Sequence, residues 1–325
     1  MAAAEQIKSL IKSFGEADES RFFATAMQIA ATEARKGHAK FAQELKLLIE
    51  RAKKTRSSSF LDSAKTISIS KPKRELNELI EVFQPKIKLN DMILHKSVRE
   101  SLDRIIQEQR KVDLLQQHNL MPRRKLLLTG SPGCGKTMTA QAMAGELGLL
   151  VFIIRLDGLI SKFMGESISK LRMIFDAMED HRGVYLFDEF DSIGSKRDQG
   201  QDVGEIKRVL NSFLINIEKD QSNSIIIAAT NLPDSLDKAL FRRFDDIIRF
   251  PQPKIQEIEN VLLKHLSGFS LSKKDALPSI AKDAFGLSNA DIVRACEEAI
   301  KEMIITGKNK VSVTSLRKSL KKRKQ

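Results

Sequence analysis

The sequence predicts a doubly wound α/β fold, in which helices cover both faces of a parallel sheet and a helical lid follows the sheet. Two observations predict this fold class. Short, nearly continuous apolar runs alternate with helical segments, as strands buried on both faces do; they are residues 125–129, 149–155, 183–187 and 224–230, and residues 247–250 could add a fifth. After Pro251 and Pro253 the strand pattern stops, and helical periodicity continues to about residue 305.

A small N-terminal helical bundle is expected before this core. Apolar residues recur at helical spacing in residues 4–14, 19–36 and 39–53, and helices this short bury their apolar stripes against each other. The periodicity is then lost in a Ser-rich stretch, and a further helix is expected from about residue 73. The expected organisation is a bundle at 1–54, a linker at 55–72, the α/β core at 73–253, and a helical lid with a basic C-terminal tail at 254–325.

The composition excludes several classes of protein. Apolar residues make up 42% of the chain and charged residues 30%, which are ordinary values for a soluble globular protein and exclude wholesale disorder. No window approaches about 18 uncharged apolar residues, so no membrane span or membrane partner is expected. The two cysteines cannot form a disulfide framework, and the five histidines show no ligand spacing. A reduced, cytoplasmic protein without a zinc site is therefore expected.

The positive charge of the chain is concentrated at its two ends. The 325 residues carry a formal net charge of +13; residues 1–90 supply +6 and residues 301–325 supply +8, while the 210 residues between them sum to −1. Basic ends are typical of a protein that binds nucleic acid or an acidic partner, and also of one whose charge serves only solubility. Charge alone leaves these three interpretations open.

The strongest functional signal is a glycine-rich loop at residues 130–137, GSPGCGKT. It fits GxxxxGK[ST], follows a predicted strand and opens a predicted helix. This is the setting of the phosphate loop in P-loop NTPases, and it disfavours the alternative of a chance glycine-rich turn. In such a loop Lys136 neutralises the β- and γ-phosphates, and the Thr137 hydroxyl binds Mg²⁺. The nucleotide-binding residues predicted here are Ser131, Pro132, Gly133, Cys134, Gly135, Lys136, Thr137 and Met138.

Two acidic residues, Asp188 and Glu189, follow another predicted strand. Because the carboxyl ends of parallel strands meet at one edge of a sheet, Asp188 is expected beside the phosphate loop, where it would hold Mg²⁺ together with Thr137. Glu189 is then the candidate general base that polarises the attacking water. The plainer interpretation is a solvated acidic strand end, but a phosphate loop requires such a partner. The combination favours nucleotide hydrolysis.

With these motifs, about residues 85–305 resemble the AAA+ ATPases, and within them the AAA proteins proper. Asn231, after the next predicted strand, is similar to sensor 1, whose side chain orients the attacking water. The run DKALFRRFD at 237–245 resembles the second region of homology, in which Arg242 and Arg243 match arginine fingers that reach the γ-phosphate bound by a neighbouring subunit. The alternative for each arginine is a surface salt bridge. The resemblance implies an ATP- and ADP-binding, Mg²⁺-dependent ATPase that assembles with itself, as a hexamer.

Further segments extend the resemblance. Residues 286–292, GLSNADI, are similar to the GxSxAD segment that starts the lid helix, with Ala290 where other AAA+ groups carry the sensor 2 arginine. Residues 90–94 look like the segment that lies against adenine, with Ile93 and Leu94 as the contacts. Residues 162–167 resemble pore loop 1, which grips a protein substrate in a ring; its predicted substrate-binding residues are Lys162, Phe163 and Met164. The alternative for Phe163 is an ordinary core residue.

Pore loop 2 is expected in the polar stretch 197–204, and Arg208 after it could pair across a subunit interface. The N-terminal bundle resembles the leader of bacterial AAA-family ATPases that are encoded beside subtilisin-like serine proteases, which implies control of, or delivery to, such a protease. Two alternatives stay open: a nucleic-acid-binding ATPase whose basic ends grip DNA, and a scaffold that binds ATP but hydrolyses little. The motifs favour a motor that threads or remodels a protein.

Overall fold

The structure is a computed structural model, in which the chain forms two compact units, Met1–Ser68 and Ile69–Gln325. The second unit contains both the predicted α/β core and the predicted lid. The residues that the structure describes are 25–32, 37–38, 41–49, 79–156, 158–159, 165–194, 203–236, 238–272 and 276–324.

The first unit is mainly helical where it is described. Residues 25–32 and 41–49 are α-helical, inside two of the three predicted helices, whereas residues 4–14 and the predicted linker lie outside the described residues. A small apolar cluster packs together, consisting of Ala26, Ala30, Leu45 and Ile49. Phe41 and Leu48, which are spaced four and three residues from Leu45 and are therefore expected on its apolar face, are instead 53% and 61% exposed. Burial centres on Leu45 and its helical neighbours Ala42 and Ile49, so the stripe is narrower than the sequence predicts.

A six-stranded sheet lies in the second unit, in the order β1-β3-β4-β5-β2-β6. The strands are β1 (Ile80–Phe83), β2 (Lys125–Gly130), β3 (Leu150–Arg155), β4 (Gly183–Asp188), β5 (Ile225–Thr230) and β6 (Asp246–Phe250). Neighbouring strands pair in parallel, except that β1 is antiparallel to β3. The five strands that the sequence predicts are all present and begin and end within one residue of the predicted bounds. The doubly wound α/β fold class is confirmed.

Strand β1 corrects one expectation. The sequence predicts a helix from about residue 73, but Ile80–Phe83 is an edge strand, with Ile80 opposite Ile154 of β3. Its sequence, IEVF, contains one charged residue among β-branched and aromatic ones. This composition suits a half-buried edge strand better than a helix. The short run is too brief for periodicity to separate the two structures.

Helices cover the sheet on both faces. They are α1 (Lys96–Arg110), α2 (Val112–Gln117), α3 (Lys136–Leu147), α4 (Ser167–Asp180), α5 (Asp191–Gly194), α6 (Val203–Lys219) and α7 (Lys238–Phe241). Successive side chains of a strand point to opposite faces, so Leu127 of β2 joins the core cluster under α4 and α6, whereas Leu126 and Leu128 join the cluster under α1 and α3. Burial on both faces explains why the strands are continuous apolar runs in the sequence.

The lid has its own apolar core. Its elements are α8 (Ile255–His265), β7 (Ser270–Leu271), α9 (Leu277–Asp283), α10 (Asn289–Ile305), β8 (Lys310–Val311) and α11 (Val313–Lys322). The sequence predicts helices to about residue 305, followed by a basic tail, but Val311, Leu316 and Leu320 are buried in the lid core. Val311 lies in β8, whereas Leu316 and Leu320 are four residues apart on one face of α11, whose lysines are exposed. The basic C-terminal segment is therefore part of the lid.

The longest helices in the described ranges are α6 and α10, with 17 residues each. Both are amphipathic and carry charged residues. Within those ranges, no helix combines the length and the apolar character needed to cross a membrane.

Candidate functional site

The phosphate loop joins the end of β2 to the start of α3, next to the carboxyl ends of the central strands. Gly133 and Gly135 have φ angles of 75° and 99°, a left-handed backbone that strains any residue with a side chain. Gly135 is the N-cap residue of α3, so the free N–H groups and the positive end of that helix lie at the loop. Ser131, Pro132 and Met138 are exposed there. The local structure is that of an anion-binding loop.

Lys136 is the first residue of α3, and its side chain is buried although it is charged, with 7% of the residue exposed. Its Nζ donates hydrogen bonds to the backbone oxygens of Gly130 at 2.7 Å and Ser131 at 3.1 Å, and to Oδ1 of Asn231 at 2.8 Å. Asn231 directly follows β5, so the last bond joins two strand ends. These acceptors offset the cost of burying an ammonium group and fix it at the phosphate loop.

Thr137 and Asp188 meet at the same edge of the sheet. The Thr137 hydroxyl donates a hydrogen bond of 2.8 Å to Oδ2 of Asp188, the last residue of β4. A hydroxyl and a carboxylate at one point are hard oxygen ligands, which Mg²⁺ prefers; it usually takes one or two of them from the protein and the others from phosphate and water. The residues present therefore fit a magnesium ion bound together with a nucleotide.

Glu189 has an unusual backbone conformation, with a φ of 54°. Two hydrogen bonds hold this turn: the Glu189 N–H donates to Oδ1 of Asp188, and the Phe190 N–H donates to the Ala229 oxygen of β5, both at 2.9 Å. The Phe190 ring is fully buried and lies edge-on to Phe213 of α6, with 4.9 Å between the ring centroids. The strained backbone is thus held from both sides, which fixes where the Glu189 side chain begins.

The structure adds one residue to those predicted from the sequence, Asp191 at the start of α5. Its Oδ1 accepts a hydrogen bond of 3.1 Å from the backbone N–H of Asn231, whose own side chain accepts the bond from Lys136. The sequence signal that could have identified Asp191 is that it is the third carboxylate in a row of four residues that begins at Asp188. Its partner, 40 residues further along the chain, is visible only in the fold. Asp191 orients Asn231 and does not itself reach the phosphate loop in the described residues.

The lid helix α10 begins directly on the phosphate loop. The backbone N–H of Ala290 donates to the Gly133 oxygen at 3.1 Å, and Ser288, the N-cap of α10, accepts a hydrogen bond from the Asp291 N–H at 3.2 Å. The sequence assigns Ala290 to the nucleotide site, and the structure brings its backbone to that site. Core and lid are therefore joined where the nucleotide is expected.

A cleft lies beside the phosphate loop, between α10 and the segment that precedes α1. Residues from four parts of the chain line it, among them Ile93, Leu94, Cys134, Phe250 and Asn289. Burial raises the pKa of the Cys134 thiol, and the nearby Lys136 ammonium, with 3.6 Å between Nζ and Sγ, opposes that shift. Both predicted adenine contacts, Ile93 and Leu94, lie in this cleft.

Comparison with known sequences identifies the family. Residues 126–252 match the model of the "ATPase family associated with various cellular activities (AAA)". The uncharacterized AAA family ATPase y4kL of Sinorhizobium fredii is 35% identical over 320 residues, which are 98% of this chain and 95% of that protein. The chain belongs to the AAA family of ATPases. The sequence-based prediction of an ATP-binding, ATP-hydrolysing AAA protein is confirmed.

Two other relatives of this AAA ATPase share part of their length with it. The proteasome-activating nucleotidase of Methanothermobacter thermautotrophicus is 32% identical over 213 residues, 63% of this chain and 52% of that protein. The ATP-dependent zinc metalloprotease FTSH 11 of Arabidopsis thaliana is 35% identical over 196 residues, 59% of this chain and 24% of that protein. The chain thus spans about half, or less, of the length of these two relatives.

The two arginines predicted as fingers of the AAA ATPase differ in their surroundings. Both follow α7. Arg243 forms an ion pair with Glu218 near the end of α6, whereas Arg242 is exposed and forms no ion pair with any residue that the structure describes. In the same described residues, neither side chain hydrogen-bonds to the phosphate loop of its own chain.

The predicted pore loops of the AAA ATPase fall mostly outside the described residues. Lys162, Phe163 and Met164 are among those outside, as are residues 197–202 of the second loop. The flanking Gly165 and Glu166 are exposed, and α4 begins directly after them. Arg208 lies on α6 and is exposed.

Proposed function

We propose that this AAA ATPase hydrolyses ATP, with Mg²⁺, at the site formed by the ends of β2, β4 and β5. The observation that carries the proposal is the pair of contacts across these strand ends, Lys136 to Asn231 and Thr137 to Asp188, each at 2.8 Å. Lys136 binds the β- and γ-phosphates, and the N–H groups around Gly133 and Gly135 cradle them. Thr137 and Asp188 hold the Mg²⁺, which supplies charge neutralisation on the phosphates.

Two side chains prepare the attacking water. Glu189 takes its proton as general base, because its backbone is fixed one residue beyond Asp188. Asn231 orients the water, since Asp191 and Lys136 hold its backbone and its side chain. ADP remains in the cleft of Ile93 and Leu94, close to Ala290, until it is released.

The active form is proposed to be a ring, a hexamer, in which each site is completed by the next subunit. Arg242 is the principal finger, because it is exposed and unpaired among the described residues, while Arg243 is engaged by Glu218 in its own chain. In other phosphoryl-transfer enzymes, an arginine supplied in trans raises turnover about 10³–10⁵-fold. Arg243 then serves mainly to orient the segment that carries Arg242.

The work done by the ring is proposed to be the threading or remodelling of a protein in the cytoplasm. Lys162, Phe163 and Met164 would contact the substrate in the pore, with Phe163 gripping it by apolar contacts that do not depend on sequence. Relatives named as a proteasome-activating nucleotidase and as ATP-dependent proteases support a protein substrate. The N-terminal unit would recruit that substrate or a partner, for which a subtilisin-like serine protease is the candidate.

The proposal is tested with Glu189→Gln, which keeps the size and hydrogen bonding of the side chain but removes its basicity. ATP affinity is expected to stay within about 3-fold, while turnover falls by about 10²–10⁴-fold. Glu179→Gln, an exposed change on α4, is the matched control and should retain both. If Glu189→Gln turned over ATP at close to the wild-type rate, or if it alone lost ATP binding, Glu189 would not be the general base.

A second candidate function is ATP-dependent binding to DNA. One face of α11 supports it, because Lys318, Lys321 and Lys322 are exposed there and form no ion pairs in the described part of the chain. A pull-down with the Glu189→Gln variant in the presence of ATP distinguishes the two functions. A protein that remains after nuclease treatment supports remodelling, whereas capture that is lost with nuclease and falls steeply with salt supports DNA binding.

A further inference from the structure

The cleft beside the phosphate loop contains one polar group whose partner is missing from the described residues. Apolar side chains, Ile93, Leu94 and Phe250, line the cleft together with the polar side chains of His95, Glu257 and Asn289. The Oδ1 atom of Asn289 is buried and accepts no hydrogen bond from any residue that the structure describes. A buried acceptor without a donor is unfavourable, so the position of Asn289 calls for a ligand that supplies one.

The backbone of Asn289 is firmly placed. It is the first residue of α10, Ser288 before it caps the helix, and the N–H of Ala290 after it donates to the Gly133 oxygen of the phosphate loop. The amide of Asn289 is therefore held at the wall of the cleft, at a fixed place relative to the loop that binds the phosphates. A nucleotide anchored at the loop extends its base into this cleft, which is the part of the argument that rests on the proposed function.

The other polar side chains of the cleft already have partners. Nδ1 of His95 lies 2.8 Å from the Ser97 hydroxyl, at the start of α1. Oε2 of Glu257 accepts from the backbone N–H of Lys254, 2.9 Å away, at the start of α8. Each of these groups uses one atom to cap its own helix, whereas Oδ1 of Asn289 is buried without a partner among the described residues and therefore has the greatest need of a donor.

We propose that Asn289 selects adenine over guanine by accepting a hydrogen bond from the exocyclic amino group of the base. An asparagine amide complements adenine, which presents an N6 donor beside the N7 acceptor. Guanine presents O6 at the position of the adenine amino group. Both O6 and the neighbouring N7 are acceptors, so neither can donate to the Asn289 oxygen. The apolar side chains of Ile93 and Leu94 accept the flat face of any purine, so they provide affinity, and Asn289 provides the choice.

The test compares the binding of three diphosphates by fluorescence competition, so no turnover is involved: ADP, GDP and purine riboside diphosphate, which lacks the N6 amino group. The wild-type protein is expected to bind ADP at least about 10-fold more tightly than either of the others. In Asn289→Ala the three affinities should lie within about 3-fold, because the discriminating acceptor is gone. A general weakening of the lid would lower all three affinities together and leave their ratios unchanged.

Controls separate the outcomes. Asn309→Ala, an exposed change elsewhere in the lid, should keep the wild-type ratios. Asn289→Asp, which retains an acceptor, should still favour ADP over purine riboside diphosphate. Equal binding of these two by the wild-type protein overturns the inference without any variant, as does an unchanged preference in Asn289→Ala. If the wild-type protein binds no nucleotide at all, the proposed function itself fails.

Discussion

At the scale of single residues, the phosphate loop places a thiol beside an ammonium group without making that thiol reactive. Cys134 is 6% exposed, and its Sγ lies 3.6 Å from the Nζ of Lys136. Burial disfavours the thiolate and the positive charge favours it, and burial is the larger effect, so the pKa of Cys134 lies above its ordinary value. A neutral thiol at this position packs against the loop and does not act as a nucleophile.

This assignment predicts a pH dependence of alkylation. A raised pKa lowers the thiolate fraction at neutral pH, so carboxamidomethylation of Cys134 by iodoacetamide should be slow at neutral pH and accelerate as the pH is raised. Cys296 is fully buried, with its pKa raised to about 12, and should react only on unfolding. Mass spectrometry of the two peptides at several pH values measures both rates. Rapid, pH-independent labelling of Cys134 at neutral pH would contradict the balance described above.

Which residues the sequence could identify depended on how local their signal is. Lys136, Thr137 and Asp188 belong to short motifs next to strands, and the fold brings them together as such motifs require. Asp191 and Asn289 carry no comparable signal. Asp191 matters because of a partner 40 residues away, and Asn289 because its Oδ1 is buried without a partner in the described residues. Burial and long-range contacts arise only in the folded chain.

At the scale of elements, the contact of the lid with the phosphate loop depends on a residue without a side chain. A Cβ placed on Gly133 would lie 2.6 Å from Oγ of Ser288 and 2.9 Å from Cβ of Ala290, at a φ of 75°. These distances are shorter than van der Waals contact. The start of α10 can therefore rest on the loop only because position 133 is glycine.

Gly133→Ala should disturb both the contact of the lid with the loop and the loop backbone that is proposed to cradle the phosphates. Nucleotide affinity is expected to fall by at least about 10-fold. In addition, any side chain at this backbone conformation introduces roughly 1–2 kcal/mol of strain, which lowers the stability of the fold. Gly268→Ala in the lid is the matched control: its φ is 92°, with no atom within 4 Å of the added Cβ, so it introduces the strain without the collision. Thermal unfolding and nucleotide titration of both variants measure the two effects. Equal affinities in the two variants would show that the contact does not matter.

Elements of the fold were predictable where burial is uniform. The parallel strands are buried on both faces, so their apolar runs stand out, and five of them were placed within one residue. The edge strand β1 and the amphipathic helix α11 were not, because each has one exposed face and takes its structure from the neighbour it packs against. A Lys-rich segment such as that in α11 resembles a solvated tail until Leu316 and Leu320 are seen in the lid core.

At the scale of the whole molecule, charge and catalysis are separated along the chain. Residues 91–300 sum to −1 and contain the proposed ATP site, while the last 25 residues carry +8 and include α11. The assignment to the AAA ATPases rests on motifs, contacts and sequence similarity that do not depend on this positive charge.

The proposal of a shared active site predicts complementation between two inactive variants. Arg242→Ala lacks the finger but keeps the base, and Glu189→Gln lacks the base but keeps the finger, so each alone should be nearly inactive. In rings mixed at equal amounts, about a quarter of the interfaces combine an intact base with an intact finger from the next subunit, and activity should reappear in that proportion. Arg243→Ala should retain more activity alone, since Arg243 is paired with Glu218 of its own chain. ATPase assays after mixing measure the recovery, with size-exclusion chromatography to establish that assembly is intact. If mixed rings of normal size recover nothing, Arg242 does not act in trans.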